Sequence, residues 1–497
     1  MKKVIFIFLI SIVACLASLL FRSAVLFESK YYNVAAEAVG LYGILEVADG
    51  ESLYPSKEER PFSIFLYNPL HAFFLGTLLK SVGISSLEER LFFVKALNCF
   101  LAAGLLLIFF YLSRQLFSAP WHLSLTAFLL SCSRFFDYIA TTRHDIFALL
   151  LELISLSCFI QFLKRSTNRW LYLFLIFSAL AFWTRQNSII VFGAVLLWLL
   201  MQKRIKLGAT CLFIQGLLVI LPANLIFRIY GITFWDHVLF SNIRDWKPIN
   251  LSIFSYSLLS FLGSIVVCSW LVVKTKQNEK YNRSDLKSLY FVVFGLGCFI
   301  GSITYFRSGG DTNYLFLSLF LGGCLCVSEL QKILSTRWGW GLVSCQLLLI
   351  ATIYGLKSKS AMAFSQFPFA EYSKIIEQKY PRYGYVTGSL APGLVINLKK
   401  WSYHGPDISS GCMLSLGAHP RLHWLDNDLR EALEDGRIST VVVAEVGCNS
   451  SVLEGAERFS GFETKEVFDD WLCVYSKTPN REYRYTQHAI DLLRPIQ

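Results

Sequence analysis

The sequence predicts an all-α polytopic membrane bundle followed by a small α/β domain. The first observation is a series of apolar runs, such as 4–20, 92–112, 147–163 and 207–226. These match the ~20 residues a helix needs to cross a hydrocarbon core of about 30 Å. Backbone groups there have no water to bond, so the runs must be helices. The second is composition: of 497 residues, 54% are hydrophobic and only 16% charged, with mean hydropathy +0.49. Soluble domains carry about 25% charged residues. The third is a change in character near residue 357, beyond which short alternating segments replace the long apolar ones.

Basic residues mark cytoplasmic loops, and they order about 11 transmembrane helices. Lys2 and Lys3 hold the N-terminus inside, helix 1 (4–22) exits, and a long outer segment (23–91) follows. The second helix (92–113) returns to Arg114, the third (118–135) goes out, and the fourth (146–163) returns to Lys164, Arg165 and Arg169. The fifth (170–184) and sixth (188–201) form the next pair, ending on Lys203, Arg204 and Lys206. The seventh (207–227) leads to an outer loop with Trp235, Asp236, His237 and Trp246. An eighth (250–273) reaches the basic loop 274–287, and helices at 288–305, 313–328 and 339–355 complete the bundle. Counting 62–82 as a further span would move the basic loops outside, and Asn68-Pro69 interrupts its start. It is expected to lie at the outer surface. The N-terminus resembles a signal peptide but shows no clear small-residue cleavage site, so an uncleaved first helix is expected.

The division is therefore 1–356, a membrane domain, and 357–497, a soluble extracytoplasmic domain. Within the latter, 383–389, 440–445 and 471–475 read as strands, and 427–435, with Gly436 after it, reads as a helix. The net charge of +11 lies in short loops beside helices, where it sets topology and touches lipid headgroups. No nucleic-acid motif is present. The 13 cysteines are scattered with no CxxC pair, and neither metal-ligand spacing nor an acidic pair appears. No metal and no cofactor are expected.

Four polar clusters fall on the predicted outer side. In the first outer segment Glu37, Tyr42 and Glu46 recur near helical spacing, and a carboxylate at a water–lipid boundary serves as a general base, binds a cation or simply faces water. Between the third and fourth helices stands Thr142-Arg143-His144-Asp145. Arg143 and Asp145 make either a structural pair at a helix N-terminus or a ligand site. After the fifth helix, Arg185, Gln186 and Asn187 form a tight turn with no acidic neighbour in sequence. Arg185 suits a phosphate bidentately, or a carboxylate of the first segment, or snorkels to lipid phosphate. The fourth cluster is 307–314, with Gly309-Gly310 before Asn313 and Tyr314.

In this order the clusters resemble the GT-C superfamily of polytopic glycosyltransferases, nearest its protein O-mannosyltransferase-like and lipid A aminoarabinose transferase-like branch. The residues that carry the resemblance are Gly50, Leu53 and Tyr54; Tyr67-Asn68-Pro69-Leu70-His71; Arg143 and Asp145; Arg185 and Gln186; and Asn313-Tyr314. They span about residues 1–330. The resemblance implies an inverting transferase that takes its sugar from a polyprenyl-phosphate donor at the outer membrane face, as in a bacterial inner membrane. It implies Glu37 as the base, donor phosphate on Arg143, Arg185 and Gln186, and substrate contacts from Tyr42, Tyr67, His71, Asp145, Asn313 and Tyr314. The family's additional acidic residue two positions before the base is Ala35 here, which leaves Glu28 and Asp49 as substitutes, and Arg185 stands where the family often has Lys. The rival reading is a transporter or flippase. Transporters place polar groups near the midplane on broken helices with internal repeats, whereas these clusters sit at helix ends and no repeat is detected.

Overall fold

The computed structural model describes residues 2–28, 34–56, 64–117, 120–240, 285–305, 312–365 and 369–380, with strands and short pieces of the segment beyond. The eighth expected span (250–273) and the loop 306–311 lie outside the described residues, as does most of the helix expected at 427–435. The helices are α1 Lys2–Glu28, α2 Val34–Asp49, α3 Leu70–Val82, α4 Leu87–Phe117, α5 Trp121–Cys132, α6 Asp145–Arg165, α7 Asn168–Thr184 and α8 Ile190–Met201. They continue as α9 Ile205–Tyr230, α10 Ile232–Val238, α11 Asp285–Tyr305, α12 Phe316–Ile333, α13 Arg337–Ser365 and α14 Phe369–Lys379. Among the described residues, six helices are long and apolar enough to cross a membrane, and α3, α8 and the start of α12 are shorter apolar helices.

The chain forms two compact units. One comprises Met1–Lys30, Ser86–Ala223 and Trp246–Ser365. Within it α1 lies along α13, α6 packs on α7 and α4, α12 on α5 and α4, and α11 on α8 and α12. Its core is continuous and rich in aromatic edges: Phe109 meets Phe128 at 5.2 Å and Phe320 at 5.0 Å. Such T-shaped pairs place a positive ring edge on a negative face. The helix expected over 118–135 stops at Cys132. The chain then tightens into a 3-10 turn at Ser133–Asp137, where polar groups replace the apolar run.

The segment between that turn and α6 is fixed by buried charge. Arg22 Nε of α1 lies 3.0 Å from Asp137 Oδ1, Arg134 Nη1 lies 2.9 Å from its other oxygen, and Lys357 Nζ of α13 lies 3.6 Å away. Asn98 of α4 donates its amide to the carbonyls of Thr141 and Arg143, and Lys95 donates to Leu26 O at 2.9 Å. Leaving these carbonyls unbonded in a buried site would cost the full desolvation of each group, so the bonds favour this loop conformation.

The other unit comprises Tyr31–Ser85, Asn224–Asp245 and Gln366–Gln497. Here α2 packs on α3 so closely that a Cβ on Gly76 would stand 2.7 Å from Ile44 O and 2.6 Å from Val47 Cβ. The stretch 62–82 is not one helix: α3 begins only after Pro69. Tyr54 sits in an aromatic box of Phe65, Tyr230, Phe234 and His237 and donates its hydroxyl to Tyr67 O at 2.9 Å. His237 Nδ1 accepts the Phe65 N–H at 3.2 Å, and burial pushes this imidazole down to about 4. The three strands expected in the last segment are present, with one more. They are β1 Gly384–Thr387, β2 Thr440–Ala444, β3 Phe462–Phe468 and β4 Leu472–Lys477, in the order β1-β2-β4-β3. β1 and β2 are parallel and the other pairs antiparallel, with a bulge between Thr464 and Glu466. Period-two patterning had hidden β3, whose FETKEVF sequence is charged in the middle.

Candidate functional site

The centre of the first unit's polar site is Asp145, the first residue of α6 and almost fully buried. Its carboxylate lies 2.9 Å from Arg143 Nε and 3.2 Å from Arg185 Nη1, and it accepts the Asn313 amide N–H at 2.7 Å. His144 Nε2 stands 4.0 Å off. A helix N-terminus favours an anion, but two buried guanidiniums at this range are the larger influence. Each guanidinium also sits over a ring: Arg143 Cζ lies 4.7 Å from the Tyr138 centroid and Arg185 Cζ 4.5 Å from that of Tyr314. The rings and the carboxylate together hold both cations inside the site, so neither snorkels to lipid.

Arg185 has as its counter-ion Asp145, 40 residues earlier in the chain. Its Nη1 also reaches Asn313 O at 3.4 Å, while Nη2 is buried with no hydrogen-bond partner. The residue is placed by the end of α7. Pro222 has no N–H and so leaves Leu218 O, four residues back in α9, without its helical donor. Trp183 Nε1 donates to that carbonyl at 3.3 Å. One indole thus repairs a gap in α9 and anchors the residues that lead into Arg185.

Asp145, Arg185, Asn313 and Tyr314 line a small pocket that is partly open to solvent. Asn187, Ser188 and Thr304 add hydroxyl and amide groups, with Leu149, Ile300 and Phe316 as apolar wall. Gly301 of α11 belongs to this wall, and a Cβ there would stand 2.6 Å from Tyr314 O. Only glycine lets α11 approach the 3-10 turn Thr312–Leu315 that carries Asn313 and Tyr314.

The structure thus brings together Arg143, Asp145, Arg185, Asn313 and Tyr314. Gln186 lies in the same turn, half-buried, and does not line the pocket. Glu37, Tyr42, Tyr67 and His71 belong to the other unit. There Glu37, in the first turn of α2, is wholly buried, as are Tyr42 and His71, so the picture of Glu37 simply facing water is wrong. Glu28 and Asp49, the two substitutes for it, are exposed. One pocket residue escaped the sequence reading: Glu152, buried and two turns along α6 from Asp145. The signal was there, since a lone carboxylate inside a 21-residue apolar helix is costly in a bilayer unless it has a task. Among the described residues no group of three His, Cys, Asp or Glu side chains is arranged to hold a metal.

Over residues 68–227 the sequence matches the family model described as dolichyl-phosphate-mannose-protein mannosyltransferase. By structure it is similar to ArnT from Cupriavidus metallidurans in the apo state, with TM-score 0.58, 11% identity, and coverage of 94% of this chain and 97% of that one. The same protein bound to undecaprenyl phosphate gives TM-score 0.59 at 10% identity, over 94% and 98% of the two chains. The chain has the GT-C fold. An oligosaccharyltransferase from Archaeoglobus fulgidus, tethered to an acceptor peptide, is similar at TM-score 0.51 and 10% identity, over 93% of this chain and 74% of that one. No curated protein matches the sequence. This chain shares the helical fold of these solved structures, and among its described residues six helices are long and apolar enough to cross a membrane.

Proposed function

We propose that this GT-C protein is a glycosyltransferase that moves a sugar from a polyprenyl-phosphate donor to an acceptor at the outer membrane face, with inversion. The observation that carries the proposal is the divided role of Arg185. One arm is held by Asp145 and Asn313 O, while Nη2 is buried without a hydrogen-bond partner in a residue that lines the pocket. A buried guanidinium nitrogen without an acceptor is costly, and a phosphate oxygen satisfies it in a charge-assisted bond. A fold relative was solved with undecaprenyl phosphate bound, which supports this choice of ligand.

In this reading Glu37 removes the proton from the acceptor nucleophile, which attacks the anomeric carbon. The bond from that carbon to the phosphate oxygen breaks, and polyprenyl phosphate departs with one more negative charge. Arg185, with Arg143 and Gln186 beside it, stabilises the growing charge; such donors act most strongly where water is excluded. Tyr42, Tyr67 and His71 are assigned to the acceptor, and Asp145, Asn313 and Tyr314 to the placement of the donor. The lipid tail remains among the helices, so the chain works as an integral membrane enzyme, and no metal or cofactor enters any step.

The test is release of undecaprenyl phosphate by purified protein offered undecaprenyl-phosphate sugars and an envelope extract as acceptor. Glu37→Gln and Arg185→Ala are each expected to lose about a hundredfold or more in rate while melting as folded proteins. Release unchanged in both variants, or transport of a solute with no sugar transfer, refutes the proposal.

A further inference from the structure

Two buried acceptors in the pocket have no donor. Asn313 Nδ2 is engaged by Asp145 at 2.7 Å, and because a carboxylate only accepts, this fixes the amide with Oδ1 turned the other way. Oδ1 is buried and without a hydrogen-bond partner. Glu152 Oε1 is likewise buried and unpartnered, while Ser188 holds the side chain through a hydrogen bond. Glu152 is not the ion-pair partner of Arg185. That position is taken by Asp145 at 3.2 Å, and Glu152 acts on the guanidinium only at longer range. Asp145, Leu149 and Glu152 recur at helical spacing on α6, so Glu152 opens onto the same pocket as the arginine.

A sugar-phosphate lipid divides cleanly against this lining. Its phosphodiester is an anion with acceptors alone, and its isoprenoid tail has neither donors nor acceptors. The phosphate therefore satisfies Arg185 Nη2 and does nothing for Glu152 Oε1 or Asn313 Oδ1. Only the sugar ring carries O–H or N–H groups. We infer that Glu152 and Asn313 accept hydrogen bonds from hydroxyl groups of the donor sugar, which makes Glu152 a specificity residue that reads the sugar and not the lipid. The inference rests on the glycosyltransferase reading above and assigns that site its sugar-facing side. Glu152 is a positioning residue in it and exchanges no proton with the reacting atoms.

The experiment measures equilibrium binding to the full chain in nanodiscs. The probes are undecaprenyl phosphate and its mannosyl, glucosyl and aminoarabinosyl phosphodiesters, tested on wild type, Glu152→Ala, Glu152→Gln and Asn313→Ala. Wild type is expected to prefer at least one sugar-bearing lipid over the bare one. Glu152→Ala should reduce that preference about ten- to a hundredfold, the range for truncating a buried hydrogen-bond partner. Affinity for bare undecaprenyl phosphate should stay within about threefold. Glu152→Gln, which keeps an acceptor oxygen and the volume, should fall between, and it serves as the readout if the alanine variant does not fold. Equal loss for bare and sugar-bearing lipids would make Glu152 merely an electrostatic companion of Arg185 and overturn the inference. A preference intact in both Glu152 variants, or absent from wild type for all three sugars, also overturns it while leaving the transferase reading standing. Wild type that binds none of the four lipids overturns both.

Discussion

Replacing Asp145 with alanine isolates the charge on which the site is built. Asp145 is buried and serves Arg143 at 2.9 Å, Arg185 at 3.2 Å and the Asn313 amide at 2.7 Å. The two arginine side chains are only 8% and 12% exposed, so solvent screens the pairs weakly. The two ion pairs and the one hydrogen bond share a single carboxylate and do not add. The dominant cost is the two guanidiniums left without their carboxylate in a low-dielectric site, and breaking a buried pair in this way costs about 3–5 kcal/mol. Arg185→Ala alone should cost less, because Asp145 keeps Arg143. The double variant Asp145→Ala/Arg185→Ala removes one cation with the anion, so it should be more stable than the sum of the singles by about 1–3 kcal/mol. Reversible unfolding of the four proteins in mixed micelles measures this coupling. Additivity within about 0.5 kcal/mol would show that the two side chains do not depend on each other, and the reasoning for a preorganised arginine would fail.

Two further outcomes follow from the packing. Trp183→Phe keeps the ring but removes the donor to Leu218 O, and should destabilise by about 1–3 kcal/mol; adding Pro222→Ala returns a backbone donor to that carbonyl and should recover most of the loss. If Pro222→Ala does not rescue, the indole is not substituting for the missing helix bond. His237 predicts a pH dependence whose sign is set by burial. Its pKa lies at about 4 when folded, against 6.5 in the open chain, so between these values the unfolded state binds a proton that the folded state excludes. Stability from this group is fully present above about 6.5 and is lost as pH falls toward 4, by up to about 3 kcal/mol. Protection of the Phe65 amide, corrected for intrinsic exchange, should fall through that window in wild type; a profile that stays level would refute the assignment.

The bundle was legible because hydrocarbon imposes one rule on every apolar segment, and that rule acts locally. Helix ends were legible where charge marked them, as at Lys164 and Arg165, and obscure where a polar turn replaced the last helical turn, as at Ser133–Asp137. Arg143 with Asp145 was readable from two positions of spacing. The partner of Arg185 was not, because nothing local ties residue 185 to residue 145; that pairing is made by α6, α7 and the 3-10 turn at 312–315 packing together. Glu152 was missed for the opposite reason. A single acidic residue within ALLLELISLS breaks no periodicity, and its meaning lies in the energetic cost of putting it there. The strand β3 fell to the same weakness, since charged residues on an edge obscure a period-two pattern.

The choice of arginine at 185 follows from the same geometry. A lysine ammonium is a point charge; with Asp145 at contact distance, its attraction to an incoming phosphate would be largely spent on the carboxylate already there. A guanidinium spreads its charge over separate nitrogens in one rigid plane. Here Nη1 is committed to Asp145 and Asn313 O, the face is committed to Tyr314, and Nη2 remains buried without a partner. The structural contacts therefore do not compete with the proposed phosphate contact, because they use different atoms of the group. Asp145, Asn313 O and the Tyr314 ring also hold the side chain in place, so a ligand need not spend binding energy on ordering a long side chain. Asp145 is the condition for this, and the buried contacts that pin the loop from Asp137 to Arg143 hold Asp145 in place.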